Sequence, residues 1–144
     1  MTIHQISIFI ENKSGTLIKV LRQLKEAKIQ IVASTIADTT DYGIYRIICS
    51  EPLRAVKMLQ ESGIQANISD VFALKLDNKP GCAADALEII HNAGISISYL
   101  YSFLLDGRGI LIFRTNQPDL TKETILLNNM DYMEEDALAK TINI

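Results

Sequence analysis

Few side chains in this sequence could do covalent or metal chemistry, and their spacing gives them no partners. The histidines are His4, near the N-terminus, and His91, on the polar side of a helical pattern. The cysteines, Cys49 and Cys82, make neither metal-ligand spacing nor a disulfide framework and read as small apolar residues. Four acids crowd into the stretch Asp131-Tyr132-Met133-Glu134-Glu135-Asp136, which reads as a solvated acidic turn or edge. No His/Cys/Asp/Glu grouping recommends a metal, and no Gly-rich loop of Walker type is present. The expectation is a protein that is not an enzyme and carries no cofactor.

Chemistry of another kind is offered by a phrase written twice. "ENKSGTL" runs from Glu11 to Leu17, and sixty-six residues later "DNKPGCA" runs from Asp77 to Ala83. Each phrase joins an alternating apolar stretch to a helical one. Gly15 and Gly81 permit a close turn that a side chain would block. Ser14 and Pro80 are residue types favoured at helix starts. The first N–H groups of a helix lack internal partners and suit a carboxylate. Asn12 and Asn78 add amides that both donate and accept. Asn, Lys, Pro and Gly also make a good loop without any ligand.

The elements that must position this joint are repeated with it. Residues 11–31 set over 77–97 share seven of 21 positions: Asn12/Asn78, Lys13/Lys79, Gly15/Gly81, Leu21/Leu87, Ala27/Ala93, Ile29/Ile95 and Ile31/Ile97. Chance would give about one or two. The same offset aligns Gly43-Ile44 with Gly109-Ile110 and Pro52 with Pro118. Two copies of one small domain are expected, residues 1–69 and 70–144, with no Gly/Ser-rich linker and hence packed together. In each copy a strand (Ile6, Ile8, Ile10; Phe72, Leu74, Leu76) precedes a helix. The helical stripes are Leu17, Leu21, Leu24 and Lys28, and Ala83, Leu87, Ile90 and Gly94, the last suited to a C-cap. Two strands joined by a turn follow ("IQIVASTIA", "IYRIICS"; "ISISYLYSFLL", "ILIFRT"), then a helix opened by Pro52 or Pro118. Weaker final strands are read at "IQANIS" and "MDYMEED". The order βαββαβ implies an α+β fold of two ferredoxin-like sandwiches with about eight strands. Exposed sheet edges favour pairing of the copies and dimerisation of chains.

Composition narrows the partners. The 144 residues are 48% hydrophobic with a net charge of −3 and a pI near 5.3. That supports a packed core and argues against nucleic acid. Tyr99, Tyr101 and Phe103 share one strand face, but without basic companions they read as packing rather than as an RNA platform. No Arg-bearing loop of the acyl-phosphate hydrolases, which share this fold, follows the first strand. No membrane span and no signal peptide are legible, so a cytoplasmic protein is expected.

"NKSGTLIKVLRQLKEAKIQI" and "NKPGCAADALEIIHNAGISI" resemble the start of an ACT domain: a strand, Asn-x-Pro-Gly, an apolar helix and a Gly-Ile-Asn-Ile-like start of the second strand. The second copy is closer; the first has Ser14 for Pro and Lys28 for Gly. ACT domains are ligand-sensing modules, commonly for amino acids, that act on metabolic enzymes. A chain of two such copies resembles stand-alone amino-acid-binding ACT proteins. The resemblance implies a ligand site at Asn12, Lys13, Ser14, Gly15, Thr16 and Leu17, and at Asn78, Lys79, Pro80, Gly81, Cys82 and Ala83. It places Gln30 and Ser96 where relatives complete the pocket from a neighbouring domain, though neither is the usual Asn. It favours the second copy, whose Pro80-Gly81 keeps the phrase. It also implies a metabolic enzyme as partner, the alternative being an empty pair that serves only as a subunit.

Overall fold

The computed structural model describes residues 1–11, 15–38 and 41–142. Six strands and five helices follow one another among them: β1 (Ile3–Glu11), α1 (Thr16–Glu26), β2 (Ile31–Asp38), β3 (Tyr42–Cys49), α2 (Pro52–Glu61), β4 (Ala66–Leu76), α3 (Cys82–Asn92), β5 (Ile97–Leu105), β6 (Arg108–Thr115), α4 (Pro118–Leu127) and α5 (Glu135–Ile142). The repeat is kept to the residue. α1 and α3, β3 and β6, and α2 and α4 all begin and end sixty-six positions apart. The chain forms two compact units. The first holds His4–Ser69 with residues 139–142, and the second holds Asp70–Leu138 with Met1–Ile3.

In the first unit β3 lies antiparallel between β1 and β2, with Ile6 opposite Ile47 and Ile8 opposite Tyr45. The alternation of β1 sends Ile6 and Ile8 to the helix side, where Val20 and Leu24 of α1 and Ala55, Val56 and Leu59 of α2 meet them. Helical spacing makes Val20 and Leu24 one stripe, and Leu17, Leu21 and Ala27 flank it half-buried. Each fully buried Ile or Leu here contributes about 1.5–3 kcal/mol relative to exposure.

The second unit repeats the scheme. β6 lies antiparallel between β4 and β5, with Phe72 opposite Phe113 and Leu74 opposite Leu111. The Phe72 and Phe113 rings stack at 5.5 Å. Its core of Phe72, Leu74, Ile90, Ile95, Leu111, Phe113 and Ile125 occupies the places of Ile6, Ile8, Leu24, Ile29, Tyr45, Ile47 and Leu59 in the first. Tyr99, Tyr101 and Phe103 are half-buried on the other sheet face, because Tyr101 pairs with Ile112 and Phe103 with Ile110.

Two expected strands take other forms. "IQANIS" is not a separate final strand: its last four residues open β4 (Ala66–Leu76), the strand that also holds Phe72, Leu74 and Leu76. "MDYMEED" gives only a bridge, Tyr132 to Leu74, flanked by Lys75 N–H donating to Asp131 O (2.7 Å) and Met133 N–H donating to Ala73 O (2.8 Å). The chain then enters α5, which the sequence reading lacked. Glu135 and Asp136 stand in its first turn, where acids oppose the helix dipole favourably and end the strand. Asp131, Glu134 and Asp136 are exposed around buried Met133; Asp131 is ion-paired with Arg108, and Glu134 with the N-terminal amine of Met1 at 3.1 Å.

Candidate functional site

Both joints lead from a strand into a helix through a glycine with positive φ, 95° at Gly15 and 87° at Gly81. Each glycine is the N-cap. Its carbonyl accepts the first helical hydrogen bond, from Lys19 N–H at 2.9 Å and from Asp85 N–H at 3.0 Å. A Cβ on either glycine would meet nothing within 4 Å. The glycines are therefore required by backbone conformation, not by the close approach of another part of the chain, which corrects the steric reason given from sequence. Pro80 precedes the N-cap and lies outside the helix it was read as starting. The glycine N-caps have no side chain to bond the helix start, and in α3 the first N–H, that of Cys82, is taken by the Lys79 carbonyl.

At the first joint the Thr16 hydroxyl donates to the Glu11 carbonyl at 2.8 Å, tying the start of α1 to the end of β1. Beside it lies a cavity of about 560 Å³. Its walls come from the end of β1 (Phe9, Ile10, Glu11), the first turns of α1 (Thr16, Lys19, Val20), the start of β3 (Tyr42) and the segment after α2 (Gly63, Ile64, Gln65). Antiparallel pairing brings Tyr42 opposite Glu11, and the Phe9 amide donates to Gln65 O at 2.9 Å. The Phe9 and Tyr42 rings lie 6.2 Å apart. This volume is in the range of small-molecule pockets.

Of the residues the sequence suggested, Thr16 lines the cavity and Gly15 caps the helix beside it. Asn12, Lys13 and Ser14 lie outside the described residues. Leu17 packs against the core instead. Gln30 is exposed and its backbone pairs with Ser50: Gln30 N–H donates to Ser50 Oγ at 3.0 Å, and Ser50 N–H to Gln30 O at 2.9 Å. It does not line the cavity. In the second copy Asn78, Lys79, Pro80, Gly81 and Ala83 are exposed, Cys82 is half-buried as the first residue of α3, and Ser96 is exposed before β5. That loop is drawn in by Lys79 N–H to Asp77 O (2.9 Å) and Cys82 N–H to Lys79 O (3.3 Å). Sequence reasoning missed Lys19, Tyr42 and Gly63–Gln65. The ferredoxin-like strand order, which sets the starts of the third and fourth strands beside the end of the first, could have found them.

The residues read as chemically silent stay apart. Cys49 is buried in the first core, and His91 is exposed in the last turn of α3. Among the described residues no group of three His, Cys, Asp or Glu could hold a metal ion. No helix among them is long and apolar enough to cross a membrane.

The chain is similar to protein BT0572 from Bacteroides thetaiotaomicron, with 34% identity, 97% of each chain covered and a TM-score of 0.92. It shares its fold with the ligand-free regulatory subunit of aspartate kinase from Thermus thermophilus: 14% identity, 86% of this chain and 91% of that one, TM-score 0.61. The corresponding subunit from Thermus flavus gives 15%, 86% and 90%, with a TM-score of 0.58. Among curated proteins none matches the sequence. The family model of an ACT domain pair matches residues 1–142, so this chain belongs to the ACT family, as two ACT domains on one polypeptide.

Proposed function

We propose that this protein is a regulatory module that binds an amino acid where a first strand meets a first helix and transmits its occupancy to a metabolic enzyme. The observation that carries this reading is the cavity of about 560 Å³ beside the start of α1. A carboxylate set there gains from the positive end of the helix and from Lys19 in the cavity wall. Residues 12–17 with Gln30 and residues 78–83 with Ser96 are the two candidate segments for that ligand. The amide side chains and loop carbonyls are the acceptors for an ammonium group. The shared fold with regulatory subunits of aspartate kinase supports an enzyme partner drawn from metabolism. The protein is proposed to work in the cytoplasm, as a homodimer.

Thermal unfolding of the full chain against each of the twenty amino acids tests this. A ligand at a hundred times its Kd stabilises the native state by about 2.7 kcal/mol, which shifts the melting temperature measurably. Stabilisation by one amino acid or a chemically related few is expected. No shift with any of them at millimolar concentration would favour the other reading, an empty ACT pair that serves as an interaction subunit.

A further inference from the structure

The two copies keep the same backbone at the joint but not the same charges. The bond from Phe9 N–H to Gln65 O recurs sixty-six residues on as Lys75 N–H to Asp131 O. Around this shared frame the side chains diverge. Glu11, Lys19, Tyr42 and Gln65 line the first cavity. Their counterparts are Asp77, Asp85, Arg108 and Asp131. Where Tyr42 borders open space, Arg108 reaches across the second joint. Its Nη1 donates to Asp131 Oδ2 at 3.0 Å and its Nη2 lies 3.8 Å from Asp77 Oδ1. A second wall residue changes sign, from Lys19 in α1 to Asp85 in α3.

We infer that the first copy alone is the receptor, for a zwitterionic amino acid with a bulky apolar side chain, and that the second copy is a blank whose mouth Arg108 ties shut. The inference rests on the proposed amino-acid sensing and adds where the ligand sits and what kind it is. Lys19 attracts the carboxylate, and the Glu11 carboxylate at the same mouth complements the ammonium. Phe9, Tyr42 and Ile64 supply an apolar wall for the side chain, in a space larger than a small polar amino acid fills. In the second copy three carboxylates (Asp77, Asp85 and Asp131) would face the ligand's own, and Arg108 is already engaged by two of them. A like charge so placed repels the anion. This reverses the preference that the Asn-x-Pro-Gly phrase alone gives.

Isothermal titration calorimetry on the full chain, with phenylalanine, leucine, methionine, serine, aspartate and lysine as probes, tests the inference. One site per chain is expected, with the apolar amino acids ahead. Lys19→Asp, which places the second copy's residue on the exposed surface of α1, should weaken binding at least tenfold. Tyr42→Ala should lower the preference for apolar over polar side chains, and circular dichroism checks that both variants are folded. Arg108→Ala should leave affinity within twofold. Two equivalent sites, a best ligand that is acidic, or full-strength binding by folded Lys19→Asp would each overturn the inference while leaving amino-acid sensing intact. Absence of binding by all six probes and by the other fourteen amino acids would remove both.

Discussion

Tyr42 and Arg108 hold one position in two copies: Tyr42 opens β3 opposite Glu11, and Arg108 opens β6 one position beyond the last register partner of Leu76. Tyr42 borders a cavity, whereas Arg108 bridges Asp77 and Asp131. Arg108 is part-exposed, so its ion pairs are screened by water and salt. Arg108→Ala should cost less than about 1 kcal/mol. The loss should shrink in high salt. Urea unfolding at low and high ionic strength measures it. A loss of several kcal/mol that is insensitive to salt would mean that Arg108 holds the fold by other means.

The glycines at the two joints differ in sequence context but not in conformation. Because a Cβ would meet nothing, Gly81→Ala should cost only the strain of positive φ, about 1–2 kcal/mol. Gly81→Asn should cost less, since Asn tolerates that region better. Gly15 should behave alike. Equal losses for Ala and Asn in chemical denaturation would show that something other than φ sets the requirement.

Lys28 has φ 59°, and its counterpart Gly94 has φ 80°. Both follow the last turn of a helix, where a left-handed residue closes the end. Lys28 bears the strain that Gly94 escapes. Lys28→Gly should therefore stabilise the protein, by about 0.5–1 kcal/mol after the added flexibility of the unfolded chain is counted. Gly94→Lys should destabilise it comparably. A fall in stability for Lys28→Gly would show that its side chain makes a contribution greater than the strain.

Arg54 fastens two helices of the first unit. Its Nη2 donates to Ala27 O at 2.7 Å, at the end of α1, and to Glu51 Oε2 at 2.6 Å, at the cap of α2. The hydrogen bond from Arg54 holds the Glu51 carboxyl below its ordinary value, and the same bond raises Arg54. A depressed carboxyl contributes stability that is present above its unfolded pKa and is lost as pH falls through its folded one. Arg54→Ala should thus lower the melting temperature at neutral pH. Its difference from wild type should narrow below the ordinary carboxylate range, leaving the part due to the Ala27 carbonyl. A difference that grows on acidification would contradict the pairing.

Much of this protein was legible in its sequence, because repeats, strand alternation and helical stripes are local patterns that survive without a structure. Ile6 and Phe72, Leu24 and Ile90, and Ile47 and Phe113 were in register on the page, and they are in register in the two cores. The positions of Gly15 and Gly81 were legible for a related reason. Few residues accept a left-handed backbone, so such a requirement marks the sequence directly. What the tertiary structure decided depends on segments far apart in the chain. The fusion of "IQANIS" into β4 and the shrinking of "MDYMEED" to one bridge before α5 follow from which backbone groups find partners, and propensity does not fix that. The cavity exists because antiparallel pairing sets Tyr42 against Glu11 while Gln65 bonds to Phe9. In the sequence Tyr42 and Arg108 are only unlike residues in matching turns. Their difference takes on meaning when the fold places one beside open space and the other between two carboxylates, since charge acts through distance in space rather than along the chain.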